Sequence, residues 1–100
     1  MGNPFRNAAM PVRFHDNTAL SRFELDADGV TAFMTYRLAA NVMTLMHTET
    51  PVAARGRGLA SQLIGEVLEE MRRRGLKIVP RCPFVAAYVA KHPEYRDLVA

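Results

Sequence analysis

The residues with the clearest chemical purpose are two glycines set among arginines, Arg55-Gly56-Arg57-Gly58-Leu59-Ala60. They stand directly before a run with helical period, so backbone N–H groups of the loop and of the first helical turn converge on one point, with the positive end of the helix dipole behind them. An anion suits that point, and a pyrophosphate fits it. Gly56 and Gly58 remove side chains that would hold a phosphate away from the amides, Ala60 keeps the first turn narrow, and Arg55 and Arg57 add positive charge. The competing reading is a solvated connection, and the lysine-serine ending of a nucleotide P-loop is missing.

His47 and Glu49 are two apart in a strand-like run, which projects them from one face together with Met43 and Leu45. A titratable pair at the end of an apolar strand face can take the proton from an incoming amine, and histidine is the usual carrier of such proton traffic at neutral pH. The alternative is a strand-end pair that reaches solvent. Cys82 precedes Pro83 at the start of a second helical run, where helix amides stabilise a thiolate. A lone cysteine is otherwise a small buried hydrophobe. Tyr88 falls four residues after Phe84, the spacing of an aromatic packing pair.

Positioning these groups requires a strand meander followed by a crossover. Val12 to His15 alternates, Asp16-Asn17-Thr18 turns, and Ala19 to Asp26 forms a second strand with Ala19, Ser21, Phe23 and Leu25 on one face. Asp28-Gly29 is a hairpin signal, because a tight turn needs positive φ. Thr31 to Leu38 follows, with Ala32, Met34, Tyr36 and Leu38 together, and Ala39-Ala40-Asn41 leads into Val42 to Glu49. Pro51 ends that strand. The period then changes: Ala60, Leu63, Ile64, Val67, Leu68 and Met71 mark one face of a helix that Arg72-Arg73-Arg74 and Gly75 close. Leu76 to Val79 is a short strand closed by Pro80, and strand, helix, strand makes a right-handed crossover between parallel strands. Pro83 opens a second helix to about Lys91, which His92-Pro93 ends. The expected class is α+β, a mixed and mainly antiparallel sheet with a β-α-β crossover and a C-terminal helix. Residues 12–100 are expected to form one domain behind a loose segment, 1–11, that contains Pro4 and Pro11.

Composition sets limits on function. One hundred residues support one core, and 49% hydrophobic with 23% charged residues is the balance of a globular chain. The single Cys82 and the scattered His15, His47 and His92 exclude a disulfide framework and leave no zinc spacing, so no metal is expected. No apolar run has the length of a membrane span and no secretory leader is visible, so the expected setting is cytoplasmic. The net charge of +3 is local, since residues 55–81 hold seven of the thirteen bases and three of the ten acids. A patch of that size suits a small anionic ligand. Nucleic acid is disfavoured, because no aromatic stacking pair interleaves Arg55, Arg57 and Arg72 to Arg74.

Arg55-x-x-Gly58-x-Ala60 resembles the coenzyme A pyrophosphate loop of the GNAT acetyltransferases, (Gln/Arg)-x-x-Gly-x-(Gly/Ala). More narrowly, His47-Thr48-Glu49, Arg55 to Ala60, Val79-Pro80-Arg81-Cys82-Pro83-Phe84 and His92-Pro93-Glu94-Tyr95 resemble the small, single-domain GNAT-like family of YidJ type, over residues 12–99. The resemblance implies a GNAT-like fold in which backbone amides from Arg57 to Ser61 hold the pyrophosphate. The pantetheine arm would lie along the strand ending at His47-Thr48-Glu49, where that strand splays from Leu76 to Val79. Arg55, Gly56, Arg57, Gly58, Leu59, Ala60, Ser61 and Thr48 are then cofactor-binding residues for acetyl-CoA.

The same resemblance places Cys82 beside the cleft as acid, base or acyl acceptor, and Tyr88 near the tyrosine that protonates the departing thiolate. His92 and Tyr95 read as capping and packing groups, and Arg72 to Arg74 as a solvated helix end with contact to a ribose phosphate as a second role. The implied activity is acetyl transfer to an unidentified amine, with His47 or Glu49 relaying the proton. The alternative is a coenzyme-A-binding sensor or interaction module without turnover, motivated by the three-residue link Asp16-Asn17-Thr18 where larger relatives insert acceptor-site helices.

Overall fold

The computed structural model describes residues 12–56 and 58–100. The segment 1–11 and Arg57 lie outside the described residues. Alternating sequence becomes four antiparallel strands in chain order: β1 Arg13–Asn17, β2 Arg22–Ala27, β3 Val30–Ala39 and β4 Val42–Glu49. A fifth, β5 Lys77–Pro80, joins the far edge parallel to β4. The sheet order is β1-β2-β3-β4-β5. Two hairpins turn on residue pairs with positive φ, Asp28-Gly29 and Ala40-Asn41, as a two-residue turn requires.

The link from β4 to β5 carries helix α1, Leu59–Arg74, and α2, Pro83–Lys91, follows β5. Leu59, Leu63, Ile64, Val67, Leu68 and Met71 form the buried stripe of α1. They pack on Phe23, Leu25, Ala32, Met34, Met43, Leu45 and Ile78 of the sheet, in one core that also takes Val85, Val89 and Leu98. Gly75 ends α1 in the left-handed conformation, with its N–H on the carbonyl of Arg72 and that of Leu76 on Met71. Arg74 donates to Asp16 at 2.9 Å, and so ties the helix end back to β1.

The architecture is the α+β arrangement read from sequence, with local differences. β2 starts at Arg22 because Thr18–Leu20 forms a 3-10 turn and Ser21 is left-handed. Leu38 is exposed, since β3 extends beyond the core at that end. Pro80 lies inside β5, opposite Leu45, at an edge where its missing N–H is tolerated. The C-terminal residues return to the same edge: Val99 bridges Ile78, and the N–H of Ala100 donates to the Ile78 carbonyl at 2.8 Å.

Candidate active site

The end of β4 departs from simple alternation. Tyr36 of β3 faces Leu45, whereas Thr35 faces His47, so Met46 is an extra residue without an opposite number. This bulge reverses the faces. Met43 and Leu45 point into the core, and beyond Met46 it is Thr48 that is buried while His47 and Glu49 are exposed. The expectation that His47 and Glu49 share a face with Met43 and Leu45 is therefore corrected: they stand on the opposite, uncovered face.

β5 leaves β4 at the same place. Their pairing runs from Val42↔Lys77 to Leu45↔Pro80, and the last link is the Cys82 N–H donating to the Leu45 carbonyl at 2.9 Å. Residues 47–49 keep β3 as their strand partner on one side. On the other they face a cavity of about 520 Å³ lined by His47, Thr48, Glu49 and Thr50, the loop residues Ala54, Arg55, Gly56 and Gly58, Leu59, Ala60 and Ser61 of α1, and Phe84 of α2.

The α1 end of this cleft is built for an anion. Gly58 is the N-cap, left-handed at φ 76°, and Gly56 has φ 84°. A Cβ on either glycine would meet nothing within 4 Å, so backbone conformation, more than room, calls for glycine. The first intrahelical bond is Gln62 N–H to Gly58 carbonyl, 3.0 Å. The N–H groups of Leu59, Ala60 and Ser61 thus have no acceptor within the helix, and a glycine cap brings no side-chain oxygen to take them. Arg55 donates through Nε to the Thr50 carbonyl at 3.3 Å, holding an exposed cation at the rim. Donor set and charge fit a pyrophosphate.

Thr48 is buried, and its hydroxyl lies 3.2 Å from Cys82 Sγ. Cys82 caps α2 at 2% exposure, behind the cleft wall that Thr48 forms. Tyr88 is half-buried in an adjoining groove of about 250 Å³ with Gln62, Gly65, Glu66, Glu69 and Tyr95, and Ser61 lines both cavities. Its ring stacks on His92 with centroids 4.0 Å apart, and its hydroxyl approaches α1 so closely that a Cβ at Gly65 would lie 3.0 Å away. Tyr95 donates to Glu69 at 2.6 Å, and that bond is the main reason its phenol is pushed up to about 12.

The structure brings His47, Thr48, Glu49, Arg55, Gly56, Gly58, Leu59, Ala60 and Ser61 into one cavity, with Cys82 behind it and Tyr88 beside it. Sequence reasoning overlooked Phe84 as a cleft residue, although a phenylalanine directly after the helix-opening Pro83 is 61% exposed and was open to suspicion. The ribose-phosphate role for Arg72 to Arg74 is not supported. They sit at the other end of α1, about 20 Å from the loop at 1.5 Å per residue. There Arg72 is on Asp97, Arg73 on Glu70, and Arg74 on Asp16 and Glu70.

Residues 22–98 match the sequence model of the GCN5-related N-acetyl-transferase family. The chain belongs to this family. Protein NATD1 of Mus musculus is 29% identical over 86 residues, covering 83% of this chain and 78% of that protein. Protein NATD1 of Homo sapiens is 29% identical over 86 residues, covering 83% and 76%. The five-stranded, mainly antiparallel sheet with its helical crossover is compatible with a GCN5-related N-acetyltransferase. The match speaks for the family and leaves the narrower YidJ-type resemblance as it was. Among the described residues no helix is long and apolar enough to cross a membrane.

Proposed function

We propose that this chain is an acetyl-CoA-dependent N-acetyltransferase, with the observation that carries it being the single cavity shared by the splayed end of β4 and the glycine-capped start of α1. The N–H groups of Leu59, Ala60 and Ser61, with Arg55 and Arg57, bind the coenzyme's pyrophosphate. The open edge of residues 46–49 hydrogen-bonds an extended amide arm, with Thr48 on its inner side. The coenzyme supplies an acetyl thioester activated for acyl transfer. His47 or Glu49 accepts the proton of the amine as its nitrogen attacks, the new C–N bond forming while the C–S bond breaks. Tyr88, in the groove that Ser61 shares, is assigned the return of a proton to the departing thiolate, and Cys82 the support of Thr48. Membership of the family and the fit of the donor set to an anion support this reading.

Calorimetric titration of the full chain with acetyl-CoA, followed by thiol release against a panel of amines, tests it. Turnover is expected to fall in His47→Ala or Glu49→Gln while acetyl-CoA binding is retained. No heat of acetyl-CoA binding removes the proposal, and binding without thiol release for any amine leaves the coenzyme-binding module in its place.

A further inference from the structure

We infer that the acceptor is an amine carried on a polypeptide, docked across the uncovered face of the sheet beside His47 and Glu49; this rests on the acetyltransferase reading above. Strand register sets out that face as two ladders. Glu49 stands opposite Phe33, Phe33 opposite Glu24, and Glu24 opposite His15; beside them run His47, Thr35, Arg22 and Asn17. The helices pack on the other face, where the buried apolar side chains Phe23, Leu25, Ala32, Met34, Met43 and Leu45 point. Only Thr18–Leu20 and Ser21 join β1 to β2.

His47 and Glu49 are exposed, and Phe33 and Thr35 next to them are half-buried, as on a solvated platform. A small-molecule site commonly encloses about 70–90% of its ligand, which a platform of strand side chains does not do. Affinity on a platform comes from area, on the order of 800 Å² per partner in a stable complex, and a polypeptide supplies it. The anchor is already formed: the Arg22 guanidinium lies 4.3 Å over the Phe33 ring, while Arg22 Nε donates to Glu24 at 2.6 Å. Arginine and aromatic side chains of this kind dominate protein interfaces. Glu24 is buried and taken by Arg22, Asn17 and His15, so the carboxylate these ladders expose is that of Glu49, which complements an ammonium group delivered beside His47.

The test is steady-state acetylation by the full chain with acetyl-CoA, followed by mass spectrometry. One arm uses decapeptides bearing a single free α-amine or a single lysine; the other uses butylamine, free lysine and spermidine. Peptides are expected to give a kcat/KM at least about 100-fold above the free amines. Phe33→Ala is expected to raise the peptide KM about tenfold, the loss of an interface anchor, with calorimetric acetyl-CoA affinity unchanged. Phe33→Tyr, which keeps the ring, is expected to behave as the parent and guards against a folding defect in the alanine variant. Free amines acetylated as well as peptides, a Phe33→Ala variant that binds acetyl-CoA and keeps its peptide KM, or acetyl-CoA binding with no peptide acetylated would each overturn the inference. Failure of acetyl-CoA to bind at all instead removes the reading it rests on.

Discussion

Replacing Gly58 with aspartate separates the stability of α1 from its capacity to hold an anion. Gly58 sits at φ 76° with nothing within 4 Å of an added Cβ, so the substitution brings no clash, only the strain of a left-handed backbone. Aspartate and asparagine tolerate that conformation better than other side chains. A carboxylate at a helix N-terminus is also favoured by about 0.3–1 kcal/mol, so folding stability should change by less than about 1 kcal/mol and Tm by less than about 8 °C. Binding should suffer far more. A carboxylate about 4 Å from a phosphate charge at an effective dielectric of about 20 is repelled by about 4 kcal/mol, and about half of that survives solvent screening at an open cleft. The expected loss of acetyl-CoA affinity is therefore about 30-fold. Gly58→Asn, close in shape and uncharged, should lose only about fivefold at most. Thermal unfolding and calorimetric titration of the two variants read both effects. Equal losses in the two, or no loss in Gly58→Asp, would refute the placement of an anion at this helix end.

Glu24 is buried, and the bond from Arg22, followed by those from Asn17 and His15, holds its carboxyl down at about 2. A carboxylate depressed in the folded state stabilises the fold above its ordinary range, and that stability is lost as pH falls from about 4.5 towards 2, so urea midpoints should drop across that window and Glu24→Gln should flatten the drop. Gly65→Ala should be near neutral in thermal unfolding, because a helix gain of about 1 kcal/mol is offset by the 3.0 Å approach of the Tyr88 hydroxyl. In a Tyr88→Phe background the same change should stabilise by about 1 kcal/mol, a coupling that a double-mutant cycle measures. Thr48→Val removes the partner of the Cys82 thiol and should destabilise by about 1 kcal/mol in chemical denaturation, with the loss disappearing in a Cys82→Ala background.

The strands and helices were legible because each was written in one period. Val42–Glu49 and Pro83–Lys91 have the bounds that alternation, Pro83 and the His92-Pro93 stop prescribe. The glycine loop was legible as well, since its residue types have few other uses between a strand and a helix. What escaped was anything decided by register. Met46 is an ordinary strand residue, and nothing local says that Thr35 and Tyr36 will take partners two residues apart. The stacking of Tyr88 on His92 lay within reach of the sequence, since the two are four apart at one helix end, but the approach of the Tyr88 hydroxyl to Gly65 depended on how two helices cross. The arginines after Met71 read as a charged patch because Asp97, Glu94 and Asp16, which hold two of them, lie 20 or more positions away in the chain.

The bulge at Met46 makes the site a matter of parity. His47 to Glu49 owe their direction to Met46 standing outside the ladder. Deleting Met46 would leave each of them on its present side, whereas a register in which Met46 took Thr35 as its partner would exchange inside for outside without altering any functional group. Thr48 would turn to solvent and His47 and Glu49 towards Met34, into a core with no place for charge. An alignment to a strand without the bulge that pairs Met46 and sets its gap beyond Glu49 would assign every residue of this strand end to the wrong side of the sheet.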